Sequence, residues 1–237
     1  MARPATDAET SVARPAVART NRATRLLHMA FYLVTIVLLI TGWWLATGHD
    51  GRPSLLARAA GETDIALHRQ VGWGLAALAA LAVTAGFRGT RTFVRETLRA
   101  NRGDGRWLWR WPKAVVTGRF PRHRGHFDPG QRLANLAFVA TLGTLVGTGI
   151  ALTSLHGGPA FVWLVRVHRW STVVLTVLVV AHVLVASGVL PGYRGAWRAM
   201  HWGGRVPAAT ADRLWPADNP RPEVEGEGPE AHGQGCH

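Results

Sequence analysis

The chain has 237 residues, 48% of them apolar, with 27 Lys and Arg against 14 Asp and Glu and a net charge of +13. In a soluble protein that charge would suggest nucleic acid, but here the basic residues alternate with apolar runs long enough to span a bilayer, so it reads as membrane topology and no nucleic-acid partner is expected. One cysteine, Cys236, excludes an internal disulfide framework, a protein-held iron–sulfur cluster and a thiolate zinc site, so any metal must rest on histidine.

Residues 1–22 form an Ala/Thr/Pro-rich arm with Arg3, Arg14, Arg19 and Arg22, too poor in apolar residues to fold alone and expected to be disordered. Four apolar spans follow, at about 23–47, 65–87, 133–153 and 161–190, and together 23–190 reads as a four-helix transmembrane domain. The first run is longer than a signal peptide's apolar region and is followed by a poor cleavage site, so it is read as a retained span. Between the second and third spans, the loop 88–132 carries twelve Lys and Arg, whereas 48–64 has only Arg52 and Arg58 and 154–160 has none. By the positive-inside rule both termini and the long loop are cytoplasmic, in a multi-pass protein of the bacterial inner membrane. Trp43, Trp44 and Trp163 then fall in the outer aromatic belt. Within the loop, the stretch from Arg91 to Ala100 can form an amphipathic surface helix, and Trp107, Trp109 and Trp111 alternate with basic residues as interfacial anchors do. Residues 191–217 read as a cytoplasmic interfacial segment and 218–237 as a disordered acidic tail.

Four histidines lie inside the spans, where an unpaired imidazole costs free energy. His168 and His182 are separated by fourteen residues, about 1400° of helix and roughly 21 Å of rise, so they share one face. The topology levels His28 with His182 on the inner side and His68 with His168 on the outer side. Zinc takes four ligands, or three and water, and each layer offers two histidines with no Cys, Asp or Glu nearby in the spans. Haem supplies four equatorial nitrogens itself, so two axial imidazoles complete the iron and make it an electron carrier. The pattern predicts two haem b sites stacked across the membrane, in an apolar bundle that suits a porphyrin.

Arg69 and Arg169 directly follow the outer histidines, on the side where positive charge is disfavoured, and haem propionates would account for them. Arg25, one turn before His28, is assigned the same role on the inner side, although any inner flank collects arginine. Gly143, Gly147 and Gly149 allow close approach along the third span. The stretch from Asp128 to Leu133 sets polar groups at the inner boundary, where Asp128, Gly130 and Gln131 suit either a quinone oxygen or an ordinary helix start with Asp before Pro. His49, His123, His126, His156, His201 and His232 lie in connections or tails and read as solvated surface residues, and Cys236 and His237 receive no role.

The sequence resembles the cytochrome b (gamma) subunit of membrane-bound formate dehydrogenases, within the di-haem four-helix cytochromes that include hydrogenase subunits. Four passages carry the resemblance: the histidine near the start of the first span, DGRWL at 104–108, FDPGQRL at 127–133, and the fourth span with its exit, GYRGAWRAMHWGGRVPAATADRLWP. It covers about residues 22–216 and implies a coupling subunit, not itself catalytic for the primary substrate. Electrons would come from an iron–sulfur (beta) subunit, fed by a molybdenum- or tungsten-containing catalytic (alpha) subunit, and pass to menaquinone. Carried onto this chain, His68 and His168 would hold the outer haem, His28 and His182 the inner one, with the quinone near Asp128–Gln131 and His182. Asp128 departs from the family's Asn and, when ionised, cannot donate a hydrogen bond, though a carboxylate can relay protons. A cytochrome serving a hydrogenase or another molybdenum oxidoreductase, or a haem-free membrane anchor, are the alternative readings.

Overall fold

A computed structural model describes residues 16–48 and 51–215. The acidic tail, most of the basic arm, Cys236 and His237 lie outside the described residues. The described chain is mostly helical. In chain order it forms β1 (Val17–Ala18), α1 (Arg22–Thr47), α2 (Leu55–Ala60), α3 (Asp64–Ala85), α4 (Phe87–Thr97), α5 (Asp104–Thr117), α6 (Pro129–Ser154), α7 (Gly158–Ala186), a 3-10 turn at Pro191–Tyr193, α8 (Arg198–His201), β2 (Arg205–Val206) and α9 (Ala208–Leu214).

Four helices, α1, α3, α6 and α7, are long and apolar enough to cross a membrane. Their 22 to 29 residues correspond to roughly 33–44 Å of rise, enough for the hydrocarbon layer. Their outward faces keep Leu33, Leu81, Val139 and Val177 half or more exposed, which water would penalise and lipid does not. The chain is thus an integral membrane protein. Three of the four starts have a side-chain cap. The side chains of Asn21, Thr63 and Asp128 accept from the amides of Thr24, Ala66 and Gln131, and Pro129 opens α6. α1 packs on α3 and α7, and α6 on α3 and α7, which closes an up-and-down four-helix bundle.

One end of the bundle gathers the starts of α1 and α6 and the ends of α3 and α7; it carries the arginine-rich connections and is called here the basic end. At this end the chain builds a small cap. Val115, Tyr193 and Leu214 form its core with Trp111, Phe120 and Trp215, and the Trp111 indole donates to the Tyr193 hydroxyl at 2.9 Å. Residues 16–22, expected to belong to a disordered arm, are held in place, with Val17 paired to Val206 and Ala18 to Arg205 in a short antiparallel ladder. The Thr20 hydroxyl also donates to the Ala199 carbonyl.

The three alternating tryptophans are not equivalent anchors. α5 turns what looked like an alternation into helical spacing, so Trp107 is buried, Trp111 is half-buried and Trp109 is 87% exposed. Trp107 also donates from its indole nitrogen to the Pro121 carbonyl at 3.0 Å. Asp104 at the start of α5 holds Arg132 of α6 through two bonds of 3.0 and 3.2 Å, and Arg132 is 5% exposed. This pair locks α5 to the first turn of α6.

Candidate metal centres

At the end away from the cap, α3 brings His68 within its first two turns to face His168 of α7, with ring centroids 6.2 Å apart and planes at 79°. The Nδ1 of His68 lies 2.8 Å from the hydroxyl of Thr41, and the Nδ1 of His168 lies 2.8 Å from that of Thr148. Each hydroxyl donates its own proton back along its helix, Thr41 to Val37 and Thr148 to Thr144, at 2.8 and 2.6 Å. A hydroxyl so committed accepts, so the imidazole nitrogen donates and both rings keep Nε2 open as a ligand. A glycine follows each threonine, and at position 42 the missing side chain makes room for the ring. A Cβ on Gly42 would stand 3.2 Å from His68 Cε1, and one on Gly149 would stand 3.5 Å from His168 Cε1. Arg169 donates to the Ala46 carbonyl near the end of α1 at 3.2 Å, while Arg69 is exposed.

At the basic end, His28 of α1 faces His182 of α7 at the same 6.2 Å, with planes at 50°. Here the surroundings are rings. Tyr32, one turn along α1 from His28, lies 5.8 Å from it, and Phe138 of α6 meets His182 edge-on at 5.6 Å. His201 is exposed, as expected of a connection residue, and also sits 5.8 Å from His28 and 6.0 Å from Tyr32, because the arm ladder and the Thr20 bond fix α8 over the bundle end. Arg25 packs against the backbone at Gly204 beside this cluster.

The separation of the rings is informative. An imidazole nitrogen ligates a first-row metal at about 2.0–2.1 Å, which places the centroids of two trans imidazoles roughly 6 Å apart. Both pairs meet that condition at 6.2 Å. Among the described residues no group of three or more His, Cys, Asp or Glu converges on one point. A metal held by either couple would need further ligands from outside the protein, as a macrocycle supplies.

Asp128, Gly130 and Gln131 occupy the first turn of α6, roughly 10–15 Å of helix rise from the Phe138 that touches His182. The Asp128 carboxylate accepts the Gln131 amide at 2.8 Å as a helix cap. A Cβ on Gly130 would meet the Trp107 ring at 3.1 Å, so glycine here serves the packing of α5 on α6. Burial holds the Asp128 carboxyl above the usual carboxylate range, against the opposing pull of the Gln131 amide, His123, the Gly130 amide and Arg132. Burial also raises the neighbouring Tyr193 phenol, with the Asp128 carboxylate adding to the effect. Because the Asp128 pKa is higher in the folded than in the unfolded chain, stability falls as pH rises from the ordinary carboxylate range through the folded value. Asn caps a helix as well as Asp does. Asp128→Asn is therefore expected to raise the melting temperature at pH values above that window and leave it unchanged below. A difference that does not vary with pH would contradict this.

Sequence reasoning passed over Thr41, Thr148, Tyr32, Phe138 and His201. The Thr-Gly pairs at 41–42 and 148–149 were a visible signal, a polar residue and a glycine repeated in two apolar spans. Compared with known proteins, residues 19–203 match the family model described as prokaryotic cytochrome b561, a stretch that contains all four paired histidines and His201. No curated protein matches the chain.

Proposed function

Since the chain belongs to the prokaryotic cytochrome b561 family, it is a membrane b-type cytochrome of electron transfer, and we propose that it is the di-haem subunit linking the iron–sulfur subunit of a formate dehydrogenase-type complex to menaquinone. The observation that carries this reading is the pair of histidine couples at one common separation, 6.2 Å, whose α7 members are fourteen residues apart. A haem in each gap would supply a one-electron carrier with both axial positions filled.

The protein's own groups do the rest. His68 and His168 hold one group and His28 and His182 the other, while the apolar walls of α1, α3, α6 and α7 keep water from both. Arg69 and Arg169 stand at the level of the first couple and Arg25 at the level of the second, each suited to a propionate. In this reading the basic end and both termini lie on the cytoplasmic side of the inner membrane, which the arginine-rich connections support. The iron–sulfur subunit, fed by a molybdenum or tungsten catalytic subunit, then docks at the periplasmic end near His68 and His168. Menaquinone is reduced near the basic end, where Asp128, Gly130 and Gln131 stand and the buried Asp128 carboxyl can hold a proton.

The test is to copurify the complex from native membranes and supply donors one at a time. Formate is expected to reduce the haem, and added menaquinone to reoxidise it. Reduction by hydrogen and not by formate would move the subunit to a hydrogenase and leave the histidine assignments intact. Absence of any haem band would overturn the reading itself.

A further inference from the structure

The two histidine couples are built differently, and the difference falls on one repeated feature. At the end away from the cap, Thr41 of α1 and Thr148 of α6 each accept an Nδ1–H at 2.8 Å while donating their own proton to a carbonyl one turn back. Thr41 is fully buried and Thr148 is 8% exposed. An apolar residue would be the cheaper occupant of either position in lipid, since a buried hydroxyl must be satisfied. At the basic end the rings meet Tyr32, Phe138 and His201 instead, and among the described residues no hydroxyl bonds either His28 or His182.

Resting on the di-haem reading, the geometry points to Thr41 and Thr148 as positioning residues that lock the His68 and His168 rings near perpendicular, with Nε2 turned to the metal. A ring ligated through Nε2 still rotates about the metal–nitrogen bond, and a hydrogen bond at Nδ1 to a rigid helix hydroxyl removes that freedom. Gly42 completes the cradle at His68, where a Cβ would crowd Cε1 at 3.2 Å, while at Gly149 a Cβ would stand in ordinary contact with His168 Cε1 at 3.5 Å. The planes stand at 79° in this couple and at 50° in the other. Perpendicular axial imidazoles leave two iron d orbitals nearly degenerate in the ferric state, which gives a strongly anisotropic low-spin resonance. The Nδ1–H bonds also enrich the electron density on the ligands and favour the oxidised metal.

The experiment uses the full chain, oxidised, with haem content, electron paramagnetic resonance and redox titration read on each sample. Thr41→Val and Thr148→Val keep the side-chain shape and remove the acceptor. Each is expected to narrow the most anisotropic ferric signal and raise one of the two midpoint potentials while the other stays fixed. Thr→Ser at each position is expected to restore both readings. A variant that loses one haem as Val and regains it as Ser supports the same role. Val variants with both haems, unchanged resonance and unchanged potentials would overturn it. A wild-type chain without haem, or His68→Ala and His168→Ala variants that keep full haem content, would instead defeat the di-haem reading on which it rests.

Discussion

Replacing His182 by Ala should halve the haem content of the purified protein, from two groups per chain to one, and reduce menaquinone reduction to background. His182 contributes one of the two imidazoles of the couple at the basic end, facing His28 at 6.2 Å. Losing one axial nitrogen leaves that site half-built, whereas the His68 and His168 couple, fourteen residues away along α7, keeps its own rings and threonine partners. His201 also stands 5.8 Å from His28, so the decisive variant combines His182→Ala with His201→Ala and removes any substitute ring. Pyridine haemochrome analysis reads the number directly. Two haems in the double variant would contradict the pairing.

Asp104→Ala is expected to destabilise the fold by about 3 kcal/mol, the scale for leaving one partner of a buried ion pair uncompensated. Arg132 is 5% exposed, donates to both Asp104 oxygens and to the Arg99 carbonyl, and keeps a buried Nε with no partner. Without Asp104 the guanidinium keeps its charge and loses its counter-ion. Adding Arg132→Leu removes the stranded charge and should recover most of the loss. Thermal unfolding in detergent, followed by loss of the helical signal, measures both steps. A single variant as stable as the parent, or a double variant worse than the single, would contradict this role for the pair.

The long elements were legible because lipid imposes a strong pattern: α1, α3, α6 and α7 follow from apolar run lengths, and the levels of His28, His68, His168 and His182 follow from counting residues along them. The cap was not legible. Its formation depends on Val17 meeting Val206 from the opposite end of the chain, and that non-local pairing brings His201 onto the His28 and His182 couple. Trp107 was misjudged because an alternating pattern was read where the backbone runs as a helix, and the helix turns that side chain inward. Two of the motifs that carried the resemblance gain a physical meaning. DGRWL and FDPGQRL interlock, with Asp104 on Arg132 and Trp107 over Gly130, so part of what carries the resemblance is a structural joint between α5 and α6.

The assignment of one haem to each histidine couple is tested most directly by the haem-to-chain ratio of the purified wild-type protein, taken with its reduced-minus-oxidised spectrum. Two b-type haems per chain are expected, both low-spin because imidazoles fill both axial positions. One haem per chain, or a high-spin iron with an open position, would contradict it.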